Sequence, residues 1–298
     1  MSSPAPTISS IVAPAEIPLP SQKSLAGPKV LLMGPAGTGK TYSLGTLADW
    51  AVAHQKQMGV IFIEQGADAF AGYWTDRGLS VPPGVYWHTV DAPPLMLADL
   101  MKGSKDAASM SYEILSKMVD PNRAQRNAYY KILEALSAFK DDRSGKLLGA
   151  VDKWETDWVL GIDGLSEMAN AAMKMVIGNK PTASQPDYMV AQNNLMNLLR
   201  LLTQGVRCTL ALTAHVDRET DVITGGTKIM VSAIGKAISP NIPALFSDVI
   251  YTVREGDKFY WDTAAFGVDT KTRSLGYRSK IDPNFGQIMD LWLKRGGK

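Results

Sequence analysis

One short stretch of the sequence combines the residue types and the spacing that phosphate binding requires. Residues 34–41 read GPAGTGKT and match G-x-x-x-x-G-K-[ST] at every fixed position. Glycines let the backbone curl so that successive N–H groups face an anion, and a helix that begins there adds the positive end of its dipole. Lys40 is expected to bridge the β- and γ-phosphates of a nucleotide, and Thr41 to give its hydroxyl to Mg²⁺. The residues predicted to contact the nucleotide are Gly34, Pro35, Ala36, Gly37, Thr38, Gly39, Lys40, Thr41 and Tyr42.

Acidic residues after apolar runs supply the next candidates. Asp163 closes the run VLGID, and a phosphate-binding loop needs a carboxylate at such a strand end to hold the magnesium shell. Thr41 and Asp163 are therefore the predicted metal ligands, with a helix cap as the alternative role of Asp163. The position directly after this aspartate could carry the general base, but it is occupied by Gly164, which has no side chain. The base must therefore come from elsewhere. Glu64, after the run GVIFI, is the predicted base that polarises water, and Asp68 is the reserve candidate.

A histidine and several cations follow in the C-terminal half. His215 comes after the run TLALTA, where a polar side chain can touch a γ-phosphate and report its loss to the next segment. Residues 217–240 are predicted to form a long loop, and loops of this length are usually functional. The preferred interpretation is a nucleotide-gated loop that grips a phosphate backbone, and the alternative is a mobile lid or a partner contact. The candidate DNA contacts are Arg218, Lys228, Lys236 and Arg273, and the candidates for an arginine clamp are Arg273 and Arg278.

Strands and helices must bring these residues to one edge of a sheet. A strand buried on both faces is predicted from the apolar run at 29–33, and further strands are predicted at 59–63, 85–90, 158–163 and 207–214. Helices are predicted over 42–54 and 188–202, and the short links imply right-handed crossovers and a parallel sheet. Residues 247–253 and 258–261 alternate like antiparallel strands. The predicted fold class is α/β, with a mostly parallel sheet flanked by helices and antiparallel strands at its C-terminal end.

Two segments interrupt this pattern. Residues 1–27 are rich in Ser, Pro and Ala, and they are predicted to form a flexible arm that either has no role or docks on a neighbouring subunit. Residues 95–153 are polar and helix-leaning, so a helical insertion with helices at 109–119 and 124–139 is expected. The predicted organisation is therefore an arm at 1–27 and one nucleotide-binding domain at 28–298 that contains the insertion.

Composition limits the class of protein. The 298 residues are 45% hydrophobic and 20% charged, which suffices to bury one large α/β core. The formal net charge of +2 is too small to indicate a nucleic-acid partner by itself. A single cysteine, Cys208, excludes an intramolecular disulfide and a cysteine-built zinc site. No apolar run approaches the roughly 18 residues of a membrane span and no secretory leader is visible, so a cytoplasmic protein is expected.

Together these motifs resemble the RecA/RadA recombinase superfamily, and most closely the short RecA-like ATPases that bacteriophages encode for recombination and single-strand annealing. The likeness covers residues 28 to about 282. GPAGTGKT corresponds to the phosphate loop, FIE at 62–64 to the strand whose acid activates water, and LGID at 160–163 to the magnesium strand. ALTAH at 211–215 is similar to the strand whose terminal polar residue couples the nucleotide state to a DNA-binding loop. Here a histidine replaces the glutamine common in RecA, and the insertion is not a RecA feature.

The resemblance implies a RecA-like ATPase domain that uses ATP and Mg²⁺ and is stimulated by single-stranded DNA. It implies self-association into a ring or filament with ATP at subunit interfaces, and residues 217–240 as the contact with single-stranded DNA. A role in phage recombination or replication in the host cytoplasm follows, with a single-strand binding protein as a candidate further partner. Two alternatives stay open. One is a translocating motor such as a helicase or packaging ATPase, and the other is a nucleotide-switched binding module that hydrolyses slowly.

Overall fold

The computed structural model describes residues 24–90, 97–117, 127–178, 180, 182–220, 226–235 and 237–298. Most of the predicted arm at 1–27 lies outside the described residues. In chain order the strands are β1 (Lys29–Met33), β2 (Gln57–Phe62), β3 (Val85–Thr89), β4 (Phe139–Lys140), β5 (Leu147–Gly149), β6 (Trp158–Asp163), β7 (Thr209–Ala214), β8 (Val216–Thr220), β9 (Thr227–Val231), β10 (Asp248–Glu255) and β11 (Lys258–Asp262). The helices are α1 (Lys40–Ala53), α2 (Ala67–Thr75), α3 (Leu97–Ser109), α4 (Tyr112–Lys117), α5 (Ala128–Ser137), α6 (Leu165–Ile177), α7 (Gln185–Arg200) and α8 (Gly286–Lys294). None of the helices in these ranges combines the length and apolarity that crossing a membrane requires.

The main sheet contains seven strands in the order β11-β10-β1-β7-β6-β2-β3. Every neighbouring pair is parallel except β10 and β11, which are antiparallel. The predicted α/β class, with a mostly parallel sheet and an antiparallel C-terminal end, is confirmed. Because the carboxyl ends of parallel strands meet at one edge, the ends of β1, β2, β6 and β7 lie along the same side of the sheet.

Alternate side chains of β1 enter two separate cores, one on each face of the sheet. Val30 and Leu32 belong to a cluster with residues of α1, α2 and α8, whereas Leu31 and Met33 belong to a cluster with residues of α5, α6 and α7. All four side chains are 0% exposed. Each contributes about 1.5–3 kcal/mol by leaving water. The continuous apolar run of β1 is thus explained by helices that cover both faces of a central strand.

The insertion predicted at 95–153 is not purely helical. Its described part contains α3, α4 and α5, followed by the hairpin β4–β5. The sequence pattern misses this hairpin because its strands are two and three residues long, too short to show alternation. Carboxylates fasten the connecting turn to β3, since Asp141 accepts a hydrogen bond from the N–H of Trp87 at 3.0 Å and Asp142 accepts one from that of Thr89 at 2.7 Å. The hairpin therefore covers the outer edge of the main sheet.

Residues 217–240 do not form one long loop, so that prediction is wrong. β8 and β9 pair as an antiparallel hairpin, from Val216 opposite Val231 to Thr220 opposite Thr227. Four of the five residues of β8 are polar (VDRET), so the apolar alternation that signals a strand is missing. Two short 3₁₀ turns, Ser239–Asn241 and Pro243–Leu245, follow the hairpin.

Lys29 carries a buried ammonium group at the amino end of β1. The residue is 6% exposed, and its Nζ donates hydrogen bonds to the carbonyl oxygen of Val206 at 3.1 Å and to that of Cys208. Burial lowers the pKa of Lys29 from 10.5 to about 8. The charged form is therefore less favourable in the folded chain than in water.

Stability is expected to rise with pH above about 8 because of Lys29. The pKa of Lys29 is about 8 in the folded chain and 10.5 in the unfolded chain. At pH values between these two, the unfolded chain binds more protons than the folded chain, so raising the pH favours folding. Relative to Lys29→Met, the wild type should gain on the order of 3 kcal/mol of unfolding free energy across this range. Urea denaturation of both proteins at several pH values measures the difference, and a difference that stays constant with pH would contradict the lowered pKa.

Candidate active site

The predicted phosphate-binding loop lies between the end of β1 and the start of α1, as its motif requires. Gly39 has a φ of 79°, a left-handed conformation that glycine adopts without strain, and it turns the chain into α1. A Cβ on Gly34 would lie 2.1 Å from Oγ1 of Thr252 on β10, so a larger residue does not fit. The hydroxyls of Thr38 and Thr252 are 2.7 Å apart and share a hydrogen bond. The loop is thus shaped by its own backbone and by contact with β10.

Lys40 folds back over the loop. Its ammonium group donates hydrogen bonds to the carbonyl oxygens of Gly34 at 2.9 Å and Pro35 at 2.8 Å. Burial lowers the pKa of Lys40, and the negative charges of Asp163 and Glu64 raise it in part. A cation that has lost much of its hydration binds an incoming anion more strongly than a hydrated one does. This position suits a side chain that contacts phosphate oxygens.

Asp163 lies at the carboxyl end of β6 and reaches the start of α1. Its Oδ2 accepts a hydrogen bond from Oγ1 of Thr41 at 2.7 Å, and its Oδ1 accepts one from Oγ1 of Thr213 on β7. The two predicted metal ligands, Thr41 and Asp163, are therefore in direct contact. Thr213 is not among the residues predicted from the sequence, although it lies two residues before His215, where strand alternation places both side chains on one face.

A hydroxyl and a carboxylate in contact suit Mg²⁺, which prefers hard oxygen ligands. In the part of the chain that the structure describes, no group of three or more His, Cys, Asp or Glu side chains could hold a metal ion. A Mg²⁺ ion beside the loop would find protein oxygens on Thr41 and Asp163, and its other ligands would have to be water or phosphate oxygens. Magnesium is held in this way in many nucleotide sites, through one or two carboxylates and the phosphates of the substrate.

Glu64 lies two residues beyond β2, at the same edge of the sheet. Its Oε2 is 3.0 Å from Nε2 of His215, and its Oε1 lies 2.4 Å from where a Cβ on Gly164 would be. A Cβ on Gly66 would likewise approach Oδ2 of Asp163 to 2.5 Å. The two glycines therefore make room for the two carboxylates. The peptide bond that joins Asp163 to Gly164 is cis.

Asp68, the reserve candidate for the base, lies apart from this cluster. It is an exposed residue in the first turn of α2, and its Oδ1 accepts a hydrogen bond from the N–H of Ala69 at 2.8 Å. A carboxylate in a first helical turn is stabilised by the helix dipole. The structure thus brings Glu64, and not Asp68, together with Asp163 and His215.

An open cleft of about 390 Å³ adjoins the loop at Gly39. Tyr42 on α1 and Phe259 on β11 contribute aromatic rings to it, and these residues are 38% and 36% exposed. Asp282 and Asn284 contribute polar groups. The full lining is Gly39, Tyr42, Ser43, Thr46, Lys258, Phe259, Tyr260, Asp282, Pro283 and Asn284. Of these residues, Gly39 and Tyr42 are predicted from the motif, whereas no local motif marks the residues on β11 and before α8.

Two of the cations predicted to meet DNA, Arg218 and Lys228, lie on the β8–β9 hairpin. Arg218 is exposed on β8. Lys228 on β9 forms an ion pair with Asp269 at 3.0 Å. Lys236 lies outside the described residues. Arg218 lies opposite Ile229 and Lys228 opposite Glu219, so these two candidates occupy neighbouring positions in the hairpin.

The two candidates for an arginine clamp form hydrogen bonds with residues outside the loop of their own chain. The N–H of Arg273 donates to Oδ1 of Asp248 at 2.9 Å. Asp248 begins β10 and pairs with Val30, three residues before the end of β1, which is about 10 Å along the strand. The guanidinium of Arg278 donates from Nη2 to Oε1 of Gln287 at 3.3 Å, on α8. Neither of these hydrogen bonds involves the loop at 34–41.

Four chemical groups meet at the carboxyl edge of the sheet. They are a loop for phosphates with its lysine, a hydroxyl and carboxylate pair for a divalent cation, an acid and histidine pair, and an open aromatic cleft. No protein-family model matches the sequence, and no curated protein matches it. The chemistry of these side chains is therefore the basis on which a function can be assigned.

Proposed function

We propose that this chain is a RecA-like ATPase that binds ATP with Mg²⁺ in the loop at 34–41 and hydrolyses the bond to the γ-phosphate. The observation that carries the proposal is the 2.7 Å contact between Thr41, the last residue of the motif, and Asp163. These residues are 122 positions apart in the sequence, and a glycine turn without a nucleotide role has no need of a carboxylate there. Glu64 and His215 lie at the same edge, where a water molecule that attacks the γ-phosphate would have to be.

Each side chain has a defined role in this proposal. Lys40 contacts the β- and γ-phosphates, and Thr41 and Asp163 orient the metal ion. Mg²⁺, when bound, neutralises charge that develops on the phosphate oxygens. Glu64 polarises the attacking water and accepts its proton. His215 holds the carboxylate of Glu64 in place and gains a second partner when a γ-phosphate is present.

A nucleotide titration tests the proposal directly. A fluorescent ATP analogue should bind saturably in the presence of Mg²⁺ and more weakly in EDTA, and ATP should release phosphate in a reaction that requires Mg²⁺. The same assay with ADP shows whether the γ-phosphate contributes to binding. Purified protein without affinity for any magnesium nucleotide would remove the basis of the proposal.

We place the base and ribose of the nucleotide in the cleft beside Gly39. The cleft begins where the phosphate loop ends, and the ring of Phe259 lies 3.1 Å from where a Cβ on Gly39 would be. Stacking of a base on an aromatic side chain is worth about 1–3 kcal/mol. Asp282 and Asn284 offer an acceptor and an amide to the polar edge of the base.

Phe259→Ala is expected to weaken ATP binding about tenfold and to leave the binding of inorganic tripolyphosphate nearly unchanged, because tripolyphosphate has no base to stack. Isothermal titration calorimetry with both ligands measures this. Phe266→Ala serves as the matched control, since the ring of Phe266 is fully exposed outside the cleft. If both ligands lost affinity equally, Phe259 would merely support the loop.

We further propose that ATP binding acts on single-stranded DNA through the β8–β9 hairpin, in a ring or filament of several subunits. The hairpin begins directly after His215, and Arg218 is exposed on its first strand. The ion pair of Lys228 with Asp269 is exposed on both sides, 50% and 41%. Such a surface pair contributes at most about 1 kcal/mol, so Lys228 can exchange Asp269 for a phosphate group.

Affinity for a fluorescein-labelled oligo-dT is expected to fall steeply and linearly in a plot of log K against log salt concentration. Arg218→Ala should weaken binding and reduce the slope by about 1, since one phosphate contact is lost. Fluorescence anisotropy at several salt concentrations measures both quantities. Binding that is absent, or that does not change with salt, would exclude DNA as the partner of the hairpin.

Turnover with and without single-stranded DNA separates this role from its two alternatives. Strong stimulation together with strand annealing supports the RecA-like role. Directional strand displacement would indicate a helicase or packaging motor. Slow turnover that DNA does not change would indicate a nucleotide-switched binding module. Electron microscopy with and without ATP shows whether the chain assembles as a ring or a filament.

A further inference from the structure

Ser166 lies in the first turn of α6, next to the end of the strand that carries Asp163. It is 8% exposed, and its hydroxyl takes part in two hydrogen bonds with the segment that contains the β8–β9 hairpin. The N–H of His215 donates to Oγ of Ser166 at 3.1 Å, and this Oγ donates to the carbonyl oxygen of Ser232 at 3.1 Å. One buried hydroxyl therefore holds both the residue before β8 and the residue after β9.

The same two residues close the hairpin at its base. The N–H of Ser232 donates to the carbonyl oxygen of His215 at 2.9 Å, and the ladder continues with Val216 opposite Val231. The side chain of His215 points to the candidate active site, where its Nε2 is 3.0 Å from Glu64. The base of the hairpin is thus fastened to the site by a side chain and by the first turn of α6.

Contacts beyond the base restrict where the hairpin can move. Gln192 on α7 donates to the carbonyl oxygen of Ile234 at 2.9 Å, which fixes the chain just after Ser232. The N–H of Ile229 on β9 donates to the carbonyl oxygen of Gly267 at 2.7 Å, and this hydrogen bond holds β9 against the segment after β11. A change that starts at the active site therefore enters the hairpin at residues 215 and 232, where Ser166 lies.

We propose that Ser166 is a positioning residue that couples nucleotide binding to the β8–β9 hairpin. The inference rests on the proposed function, because it requires a magnesium nucleotide beside Asp163 and Glu64. A magnesium nucleotide whose metal ion and attacking water lie beside these carboxylates favours one arrangement of the start of α6 and of the ring of His215. Ser166 passes this preference to both strands, since it bonds to the backbone on each side of the hairpin. The coupling does not depend on which molecule the hairpin binds.

Amide hydrogen exchange in peptides that cover β8 and β9, with and without Mg-ATPγS, tests the inference. In the wild type, nucleotide should slow exchange of the hairpin by roughly fivefold or more, the lower end of common coupling strengths. Ser166→Ala should reduce this response to less than about twofold, and Ser166→Thr, which keeps the hydroxyl, should restore it. Ser137→Ala is the matched control, because Ser137 is exposed and donates within α5 to Glu134 at 2.9 Å.

The ratio of exchange rates with and without nucleotide distinguishes coupling from a structural role. If Ser166→Ala speeds exchange by the same factor in both conditions, the hydroxyl only stabilises the hairpin and the inference is wrong. A wild type that binds Mg-ATPγS without any change in hairpin exchange also overturns it and leaves the ATPase proposal intact. A wild type that binds no nucleotide in a parallel titration overturns both.

Discussion

Lys40→Ala is expected to weaken the binding of Mg-ATP by at least about 100-fold. The backbone amides of the loop remain in this variant. The charge-assisted hydrogen bonds from the ammonium to the β- and γ-phosphates are lost, and each is worth about 1.5–3 kcal/mol. Isothermal titration calorimetry of the purified variant measures the loss.

The fold of the Lys40→Ala variant should be unaffected. In the free chain the ammonium contacts loop carbonyls, and burial lowers its pKa, so its charge costs free energy in the folded state. The thermal unfolding midpoint should therefore be no lower than that of the wild type. Lys153→Ala is the control, because the side chain of Lys153 is 80% exposed, and it should bind ATP normally. An unfolded Lys40→Ala variant, or one with normal affinity, would contradict the assigned role.

Glu64→Gln is expected to bind ATP as the wild type does and to hydrolyse it about 10²–10⁴-fold more slowly. Glutamine has nearly the same size as glutamate and can keep a hydrogen bond to His215, which is 3.0 Å away in the wild type. An amide cannot accept the proton of the attacking water. Rapid-quench measurement of a single turnover separates binding from the chemical step.

Asp68→Asn is the matched control for this prediction. Asp68 carries the same charge but lies on the exposed first turn of α2, so its neutralisation should change hydrolysis less than about twofold. Normal hydrolysis in Glu64→Gln combined with slow hydrolysis in Asp68→Asn would reverse the two assignments. If both variants hydrolysed ATP normally, the base would be a third group.

The parts of the site that depend on contiguous residues could be predicted from the sequence. The motif at 34–41 sets its own backbone shape, and the predicted strands at 29–33 and 158–163 coincide with β1 and β6. The strand ending at Asp163 could be placed at the phosphate edge because parallel strands share one carboxyl edge. The contact of Asp163 with Thr41 follows from these two local signals.

The contacts that depend on strand order could not be predicted. Thr213, Thr252 and Ser166 are ordinary hydroxyl residues in the sequence, and their partners lie 50, 214 and 49 positions away. They meet these partners because β7 separates β1 from β6 and β10 borders β1 on the other side. A single sequence does not specify this order, so the supporting groups of the site became visible only in the structure.

The surroundings of the candidate DNA-binding cations could not be predicted for a related reason. Positive charge marks Lys228 and Arg273 in the sequence as candidate DNA contacts, but it does not determine which groups surround a residue in the fold. In the folded chain Lys228 is paired with Asp269, and Arg273 is held through Asp248 at the amino end of β10. Charge pattern alone therefore could not distinguish a shared binding surface from separate surface positions.

The position of β1 in the sheet determines when the phosphate-binding loop can form during protein synthesis. β1 leaves the ribosome early, but its two neighbours, β7 and β10, are translated last among the parallel strands. A nascent chain must extend past Glu255 before Thr252 can hold Thr38. Such distant pairing slows folding, because the loops between the strands must close first. If the loop binds ATP as proposed, a truncated chain released before β10 is expected to bind the nucleotide more weakly than the full chain.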